Sequence, residues 1–232
     1  LRTFRRPFDR PNISYAVIYS DALGRPPFDE LTRRLKHCPC AIVYARKRDD
    51  CEDIAAQLRG KGLRAVAYHA GLPKAERAAA QADWTAGDVD ICVATIAFGM
   101  GIDVAAVRVV VHWNMPQSLE AFYQETGRAG RDGKPSRTFM FYSASERSLA
   151  RFLTRKRSGE KKTEDKEEEA VEEVTGQGAG KGTRAGIGTG KGKGKKKGRA
   201  EDKLEKVIAY AERALCRRRM ILEHFGDTPL AR

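Results

Sequence analysis

The chain has 232 residues, of which 41% are hydrophobic and 32% charged, with a formal net charge of +13. This composition predicts one or two folded domains beside a very polar remainder. The longest run without a charged residue, 91–102, is shorter than the roughly 20 residues of a membrane helix, so we expect no membrane partner. Five irregularly spaced cysteines exclude a disulfide scaffold and favour a reducing intracellular compartment. Because the chain begins at Leu1 rather than Met, we expect a part of a longer protein.

Positive charge is concentrated in one low-complexity tract. Residues 176–199 hold eight Lys or Arg, no acidic residue and ten of the 22 glycines, and they follow an acidic stretch over 156–175. Such a composition buries too little apolar surface to offset chain entropy, so we expect a disordered insert over 156–200. A basic arm suggests a polyanionic partner, and a solubilising linker is the alternative.

Short apolar runs alternate with helical patterns between residues 14 and 155. The patterns predict strands at 14–19, 41–45, 65–68, 91–95, 107–112 and 138–142, and helices at 28–36, 49–60, 73–85, 118–126 and 144–155. This alternation predicts an α/β fold around a mainly parallel sheet. Ligands of such sheets bind at the carboxyl ends of the strands, which directs attention to the loops after Ala45, Tyr68 and Thr95. After the insert, helical spacing from Leu204 to Leu215 predicts the opening of a further domain.

The most specific motif is the ten-residue sequence QETGRAGRDG at 124–133, which follows a predicted helix. Its glycines allow a tight backbone course, and its two arginines stand three residues apart. Guanidinium groups suit bidentate contact with phosphate oxygens and can stabilise charge on a transferring γ-phosphoryl group. A basic surface turn is the alternative interpretation.

A second motif, VATIAFGMGID at 93–103, joins an apolar strand to a glycine-rich loop. Thr95 offers a hydroxyl at the strand end, and the amides near Gly99 and Gly101 can approach phosphates closely. An ordinary strand–loop connection is the alternative. The 232 residues contain no P-loop and no acidic metal box, so we expect no nucleotide hydrolysis by this chain alone.

These two segments resemble motifs V and VI of superfamily-two helicases, and specifically those of the RecQ family of DNA helicases. The phrases FGMGID and GRAGRDG carry the resemblance, which is closest to the RecQ-five-like branch. It covers residues 1–155 and 201–227, and it extends through the segments FDRPN, IVYAR, YHAGL, HWN and CRRRMILEHFG.

The resemblance implies an inter-lobe linker (1–13), a RecA-like helicase C-terminal lobe (14–155) and, after the insert, the truncated start of a RecQ zinc-binding domain (201–232). ATP with Mg²⁺ would be bound mainly by the first RecA-like lobe of the same protein, which this chain lacks. DNA, single-stranded and at duplex junctions, would be unwound in the 3′-to-5′ direction during repair and recombination.

The resemblance also assigns roles in nucleotide hydrolysis. Arg131 would be the arginine finger, Arg128 would assist it, and Gln124 would couple the motif to the nucleotide state. Gly101 and Asp103 would border the nucleotide.

For nucleic acid, the resemblance places Thr95, His69 and Arg46 against the single-stranded backbone. The alternatives are a packed loop histidine for His69 and a solvated surface charge for Arg46. Cys216 would be the first of four zinc ligands; because the others are missing, we expect zinc only in the full-length protein.

We therefore hypothesise that this chain is part of an ATP-dependent DNA helicase and that it hydrolyses no ATP by itself. Two alternatives stay open: a non-catalytic nucleic-acid-binding remnant of a helicase, and a translocase acting on RNA or duplex. The insert and its basic residues 195–199 suggest a nuclear location.

Overall fold

The computed structural model of the chain describes residues 8–96, 104, 106–156 and 193–227. Its strands are β1 (Ile13–Tyr19), β2 (Ala41–Tyr44), β3 (Ala65–Tyr68), β4 (Ile91–Ala94), β5 (Val109–His112) and β6 (Ser136–Tyr142). Its helices are α1 (Pro27–Leu35), α2 (Arg48–Gly60), α3 (Lys74–Ala86), α4 (Leu119–Thr126), α5 (144–156), α6 (Lys193–Glu212) and α7 (Arg217–His224). A single 3₁₀ turn, Ser20–Ala22, follows β1.

The six strands form one sheet in the order β1-β6-β5-β2-β4-β3, and every pairing is parallel. The predicted α/β architecture is therefore confirmed. Strands β2, β4 and β5 are buried along their whole length, as expected where helices cover both faces of a parallel sheet.

The two faces of the sheet carry different helices. In β2, Ala41 and Val43 pack with the apolar residues of α1 and α2, whereas Ile42 and Tyr44 pack on the opposite side with Trp84 of α3. This is the side-chain alternation that a period of two residues requires. Helix α2 turns one stripe inward, because its buried residues recur at helical spacing: Cys51, Ile54, Ala55 and Leu58.

Helices α6 and α7 complete the core of this domain. Their apolar residues join those of α4 and β6 in one cluster, in which Val207 and Tyr210 are almost fully buried beside Phe122 and Met140. The residues after the insert were expected to open a separate domain. Their described part packs directly against the sheet domain.

Helices overlap both ends of the predicted insert. Helix α6 begins at Lys193, so the last part of the 156–200 segment is helical, and residue 156 belongs to α5. The predicted disorder of 157–192 lies outside the described residues. Over the described ranges, no helix is long and apolar enough to cross a membrane. All five cysteines are described, and none forms a disulfide.

A buried carboxylate fixes the amphipathic helix α1. The Glu30 side chain is only 4% exposed. Its carboxylate accepts two hydrogen bonds from Arg33, at 2.7 and 2.9 Å, and one from Arg34 at 2.7 Å. These hydrogen bonds lower the pKa of Glu30 to about 2, against the opposing effect of burial.

We expect Glu30→Gln to lower the free energy of unfolding by about 2–3 kcal/mol at pH 7, because the carboxylate is stabilised in the folded state. A folded pKa below the unfolded value gives stability that is present above the unfolded pKa and is lost as the pH falls. The difference between wild type and variant should therefore shrink to about half near pH 3, as urea denaturation from pH 7 downward would show. Asp29→Asn, at a side chain 48% exposed on the same helix, is the control. A pH-independent difference would contradict this account.

Candidate functional site

Three of the predicted nucleic-acid contacts follow neighbouring strands at the carboxyl edge of the sheet. Arg46 lies two residues beyond β2, Thr95 directly follows β4, and His69 directly follows β3. The register aligns Tyr44, Ala94 and Tyr68 across these strands, so the three candidates leave the sheet side by side. The expectation that the strand ends gather these residues is met by the backbone.

The Arg46 side chain is held by a buried network at this edge. Its guanidinium forms an ion pair with Glu146 of α5, and both side chains are largely buried, at 20% and 13% exposure. Glu146 also accepts hydrogen bonds from the Met115 amide at 2.9 Å and from the Asn114 amide group at 3.4 Å. The Asn114 side chain in turn accepts the Arg46 backbone N–H at 2.9 Å. Arg46 is therefore a bridge between β2, β5 and α5 rather than a solvated charge.

His69 and Thr95 differ in what they present at the edge. The His69 side chain is 3% exposed, and its Nε2 lies 2.9 Å from the Glu52 carboxylate of α2. That environment is the packed loop histidine of the alternative interpretation, and DNA contact by His69 stays a prediction. Thr95 is half-buried, and its N–H donates to the Tyr68 carbonyl at 3.3 Å.

A pocket of about 160 Å³ lies between the carboxyl ends of β2 and β5 and helix α5. Arg46, Asn114 and Glu125 supply polar groups to its wall, and Ile96, Leu153 and Leu204 supply apolar ones. Ile96, which belongs to the second motif, is 65% exposed. The pocket joins the carboxyl edge to the helix that carries the arginine motif.

Two polar contacts attach helix α4 and its following loop to the strand ends. His112, the last residue of β5, is 2% exposed, and its Nε2 lies 2.6 Å from the Glu125 carboxylate. Its ring stacks on Tyr44 with centroids 5.4 Å apart. The Arg128 guanidinium lies near Tyr44, and burial raises the pKa of that phenol despite the arginine charge. The arginine motif is thus anchored to β2 and β5 by side chains of the motif itself.

The arginine loop, defined here as residues 127–135, lies at the amino edge of the sheet. The Gly130 N–H donates to the Val107 carbonyl at 2.9 Å, just ahead of β5, and Ser136 opens β6. Gly130 has φ +57° and is buried, and a Cβ there would lie 2.4 Å from the Asn12 amide nitrogen. Only glycine fits this position, because both the backbone conformation and the space exclude a side chain.

Side chains from outside the loop fix its backbone carbonyls. Arg10 donates to the carbonyls of Ala129 and Gly130 at 3.0 and 2.9 Å, and to that of Gly127 at 3.4 Å. Asn12 donates to the carbonyls of Gly130 and Lys134 at 2.8 and 3.1 Å. A loop whose carbonyls are held in this way presents its own side chains from a fixed backbone.

An ion pair holds the other side of the loop. Arg108 donates to the Asp132 carboxylate at 2.7 Å and to the Ser136 hydroxyl at 3.2 Å. The hydrogen bond from Arg108 holds the pKa of Asp132 below its usual range. Within this frame Arg131 is exposed, Arg128 is half-buried, and Gln124 is exposed on the last turns of α4.

Two groups of predicted residues remain without a described site. Gly101 and Asp103 lie outside the described residues. Cys216 is exposed at the N-terminal end of α7, and the described ranges contain no group of three or more His, Cys, Asp or Glu side chains that could hold a metal ion.

Sequence reasoning did not single out the side chains that hold the motif in place. Arg10 and Asn12 stand in the FDRPN segment, and His112 in the HWN segment, both of which carry the resemblance without an assigned role. Glu146 lies in a helix with no motif at all. The order of the strands in the sheet, rather than any local sequence pattern, brings these residues to the site.

We expect Gly130→Ala to destabilise the protein by about 2–4 kcal/mol, because alanine would be strained at positive φ and would also collide with Asn12, Ser136 and Lys134. Gly133→Ala is the matched control: φ is +79°, but nothing lies within 4 Å of its Cβ, so only about 1 kcal/mol of backbone strain should appear. Chemical denaturation of both variants compares the two costs. Equal losses would show that space at Gly130 is not limiting.

Two protein families match this sequence. The family described as helicase conserved C-terminal domain matches residues 27–133, and the RecQ zinc-binding family matches 181–232, twenty residues ahead of the predicted boundary. The chain is 51% identical to rat ATP-dependent DNA helicase Q5 over 117 residues, which is 50% of this chain and 12% of that protein. It is 35% identical to Haemophilus influenzae ATP-dependent DNA helicase RecQ over 223 residues, which is 95% of this chain and 30% of that protein. It therefore spans less than a third of either relative.

Solved structures agree on the fold. A structure of the Escherichia coli DEAD-box protein SrmB matches 57% of this chain and 78% of that chain, with a TM-score of 0.52 and 26% identity. A DEAD-box protein from Methanococcus jannaschii matches 62% of this chain and 39% of that chain, with a TM-score of 0.51 and 27% identity. The parallel sheet is thus the RecA-like lobe found in helicases. Together with the braced GRAGRDG loop and the two matching families, it shows that the chain belongs to the RecQ family of helicases.

Proposed function

We propose that this chain is the second RecA-like lobe, with the start of the zinc-binding region, of an ATP-dependent 3′-to-5′ DNA helicase that acts in repair and recombination. The arginine loop carries the proposal: an exposed Arg131 stands on a backbone fixed by Arg10, Asn12 and the Arg108–Asp132 pair. A guanidinium that stabilises charge on a reacting phosphate has to be held in place before the reaction. If the side chain had to reorient during the reaction, part of its stabilisation of the transition state would be lost.

In the proposed mechanism, Arg131 acts as the arginine finger on a nucleotide bound chiefly by the first lobe. Arg128 supports the same charge, and its guanidinium lies near Tyr44 of β2. Gln124, exposed one turn earlier on α4, couples the loop to the facing lobe. ATP with Mg²⁺ supplies the phosphoryl group, and stabilising its developing charge is the contribution of this chain. Gly101 and Asp103 keep their proposed place beside the nucleotide.

The carboxyl edge is the proposed track for single-stranded DNA. Of the three candidates, Thr95 best suits direct contact, because its side chain is half-buried at the strand end and a hydroxyl can donate to a phosphate oxygen. The buried contacts of His69 and Arg46 favour a supporting role, in which they shape the loops that meet the backbone. A nuclear location, from the basic residues 195–199, and zinc binding by the full-length protein complete the proposal.

We expect Arg131→Ala in the full-length protein to lower ATP turnover by about 10³-fold or more while DNA binding is kept, because the transition state loses its charge stabilisation. A steady-state ATPase assay with saturating single-stranded DNA measures the loss, and fluorescence anisotropy measures DNA binding. Lys134→Ala, in the same loop and exposed, removes a positive charge without removing the finger, and should stay near wild type. Turnover by Arg131→Ala within a few-fold of the Lys134 variant would overturn the assignment and favour a non-catalytic binding module.

We expect the 232-residue chain alone to hydrolyse no ATP, with or without single-stranded DNA, because it contains neither a P-loop nor an acidic box. The assay is phosphate release by the purified chain against the full-length protein at equal concentration. DNA-stimulated release that persists through successive purification steps would contradict the proposed division of labour between two lobes.

A further inference from the structure

The segment Phe8–Ile13, which leads into the sheet and ends on the first residue of β1, lies between helix α7 and the arginine loop. Arg218 of α7 binds this segment through four hydrogen bonds. One Nη donates to the Asp9 carboxylate and to the Arg10 carbonyl, both at 2.7 Å, and the other donates to the carbonyls of Ile13 at 2.6 Å and Pro11 at 3.3 Å. The guanidinium also lies over the Tyr15 ring, 5.9 Å from its centroid.

The same segment reaches the arginine loop on its other side. The Arg10 backbone is bound by Arg218, and its side chain binds the carbonyls of Gly127, Ala129 and Gly130. One residue thus links α7 to the loop: its carbonyl faces the helix and its guanidinium faces the loop. A planar guanidinium with five donors can span several carbonyl groups, whereas a lysine ammonium would act as a single point charge.

Aromatic packing closes the same junction. The Phe8 ring stacks on Phe225, with centroids 4.7 Å apart and an angle of 11° between the planes. Tyr123 of α4 packs on both rings and donates its hydroxyl to the Phe8 carbonyl at 2.8 Å. The Phe8 N–H donates to the Asp227 carboxylate at 2.6 Å. Helix α7 is therefore seated against the segment and α4 at once.

We propose that Arg10 and Arg218 are positioning residues for the arginine finger. Helix α7 fixes the segment 9–13 through Arg218, and the segment fixes the carbonyls of the arginine loop through Arg10. The seating of α7 then determines whether Arg131 stands in its productive position. The inference rests on the proposed function, and it adds a route by which the zinc-binding region controls hydrolysis without touching the nucleotide.

The experiment uses the full-length protein and compares Arg218→Gln with Arg219→Gln. Arg219 is the adjacent residue on α7, but its exposed side chain pairs with Glu223 of the same helix, at 2.6 Å. We expect Arg218→Gln to lower the kcat of DNA-stimulated ATP hydrolysis by about tenfold or more, because small displacements of a positioned group are costly. The KM for ATP and the affinity for single-stranded DNA should stay within about twofold of wild type, because Arg218→Gln changes none of the residues proposed to bind ATP or DNA. Arg219→Gln should match wild type.

A structural readout separates positioning from general instability. Hydrogen exchange of the Ala129, Gly130 and Gly133 amides, all hydrogen-bonded within or next to the loop, should accelerate in Arg218→Gln and not in Arg219→Gln. Amides of β2 and β4 should exchange as in wild type. If Arg218→Gln does not fold, Asp9→Asn weakens the same contact more gently and should shift kcat and loop exchange in the same direction.

A double-mutant cycle tests whether the two arginines act in series. If they do, Arg10→Gln and Arg218→Gln together should lower kcat little more than either change alone. Additive losses, or loop exchange and kcat equal to those of Arg219→Gln, would overturn the proposal. Arg131→Ala is measured beside them: normal turnover in that variant would overturn the proposed function, while accelerated loop exchange in Arg218→Gln would still support the mechanical link.

Discussion

All six strands run in one direction, and this constraint distributes the loops between two edges of the sheet. Segments that leave a strand lie at the carboxyl edge, where Arg46, His69 and Thr95 stand side by side. Segments that enter a strand lie at the amino edge, where the arginine loop precedes β6. The chain crosses between the edges just after α4, because Glu125 pairs with His112 at the carboxyl end of β5 and Gly130 donates to Val107 ahead of β5. The two groups of candidate residues are therefore connected by a short stretch of chain, residues 125–130.

A buried polar contact at the C-terminal end of α4 gives this connection a definite geometry. Apolar side chains of α4 pack tightly but tolerate small shifts. His112 and Glu125 have to stay in contact, because a buried carboxylate without a partner is costly. The stacking of the His112 ring on Tyr44 extends this contact to β2. Any movement of α4 relative to β2 and β5 has to break or carry these contacts, so the helix and the strand ends move together.

Local patterns predicted the elements well and their partners poorly. Strand β3 was predicted to the residue, because a short apolar run bounded by polar residues is a local signal. The ion pair of Arg46 joins residues 100 apart, and Arg10 reaches a carbonyl 117 positions away. Such pairings depend on strand order, which no local spacing encodes. The early start of α6 was missed for a related reason: packing at Leu204 and Val207 nucleates the helix, and extending it toward residue 193 costs less than nucleation.

The hydrogen bond between the Phe8 amide and the Asp227 carboxylate means that the polypeptide enters and leaves this domain at one point. Tension between the chain before residue 8 and the chain after residue 227 would fall first on that bond and on the Phe8–Phe225 ring stack. The force would reach the six strands only after these contacts had broken. A pulling force on the flanking chain would therefore displace Arg10 before it disturbed the sheet.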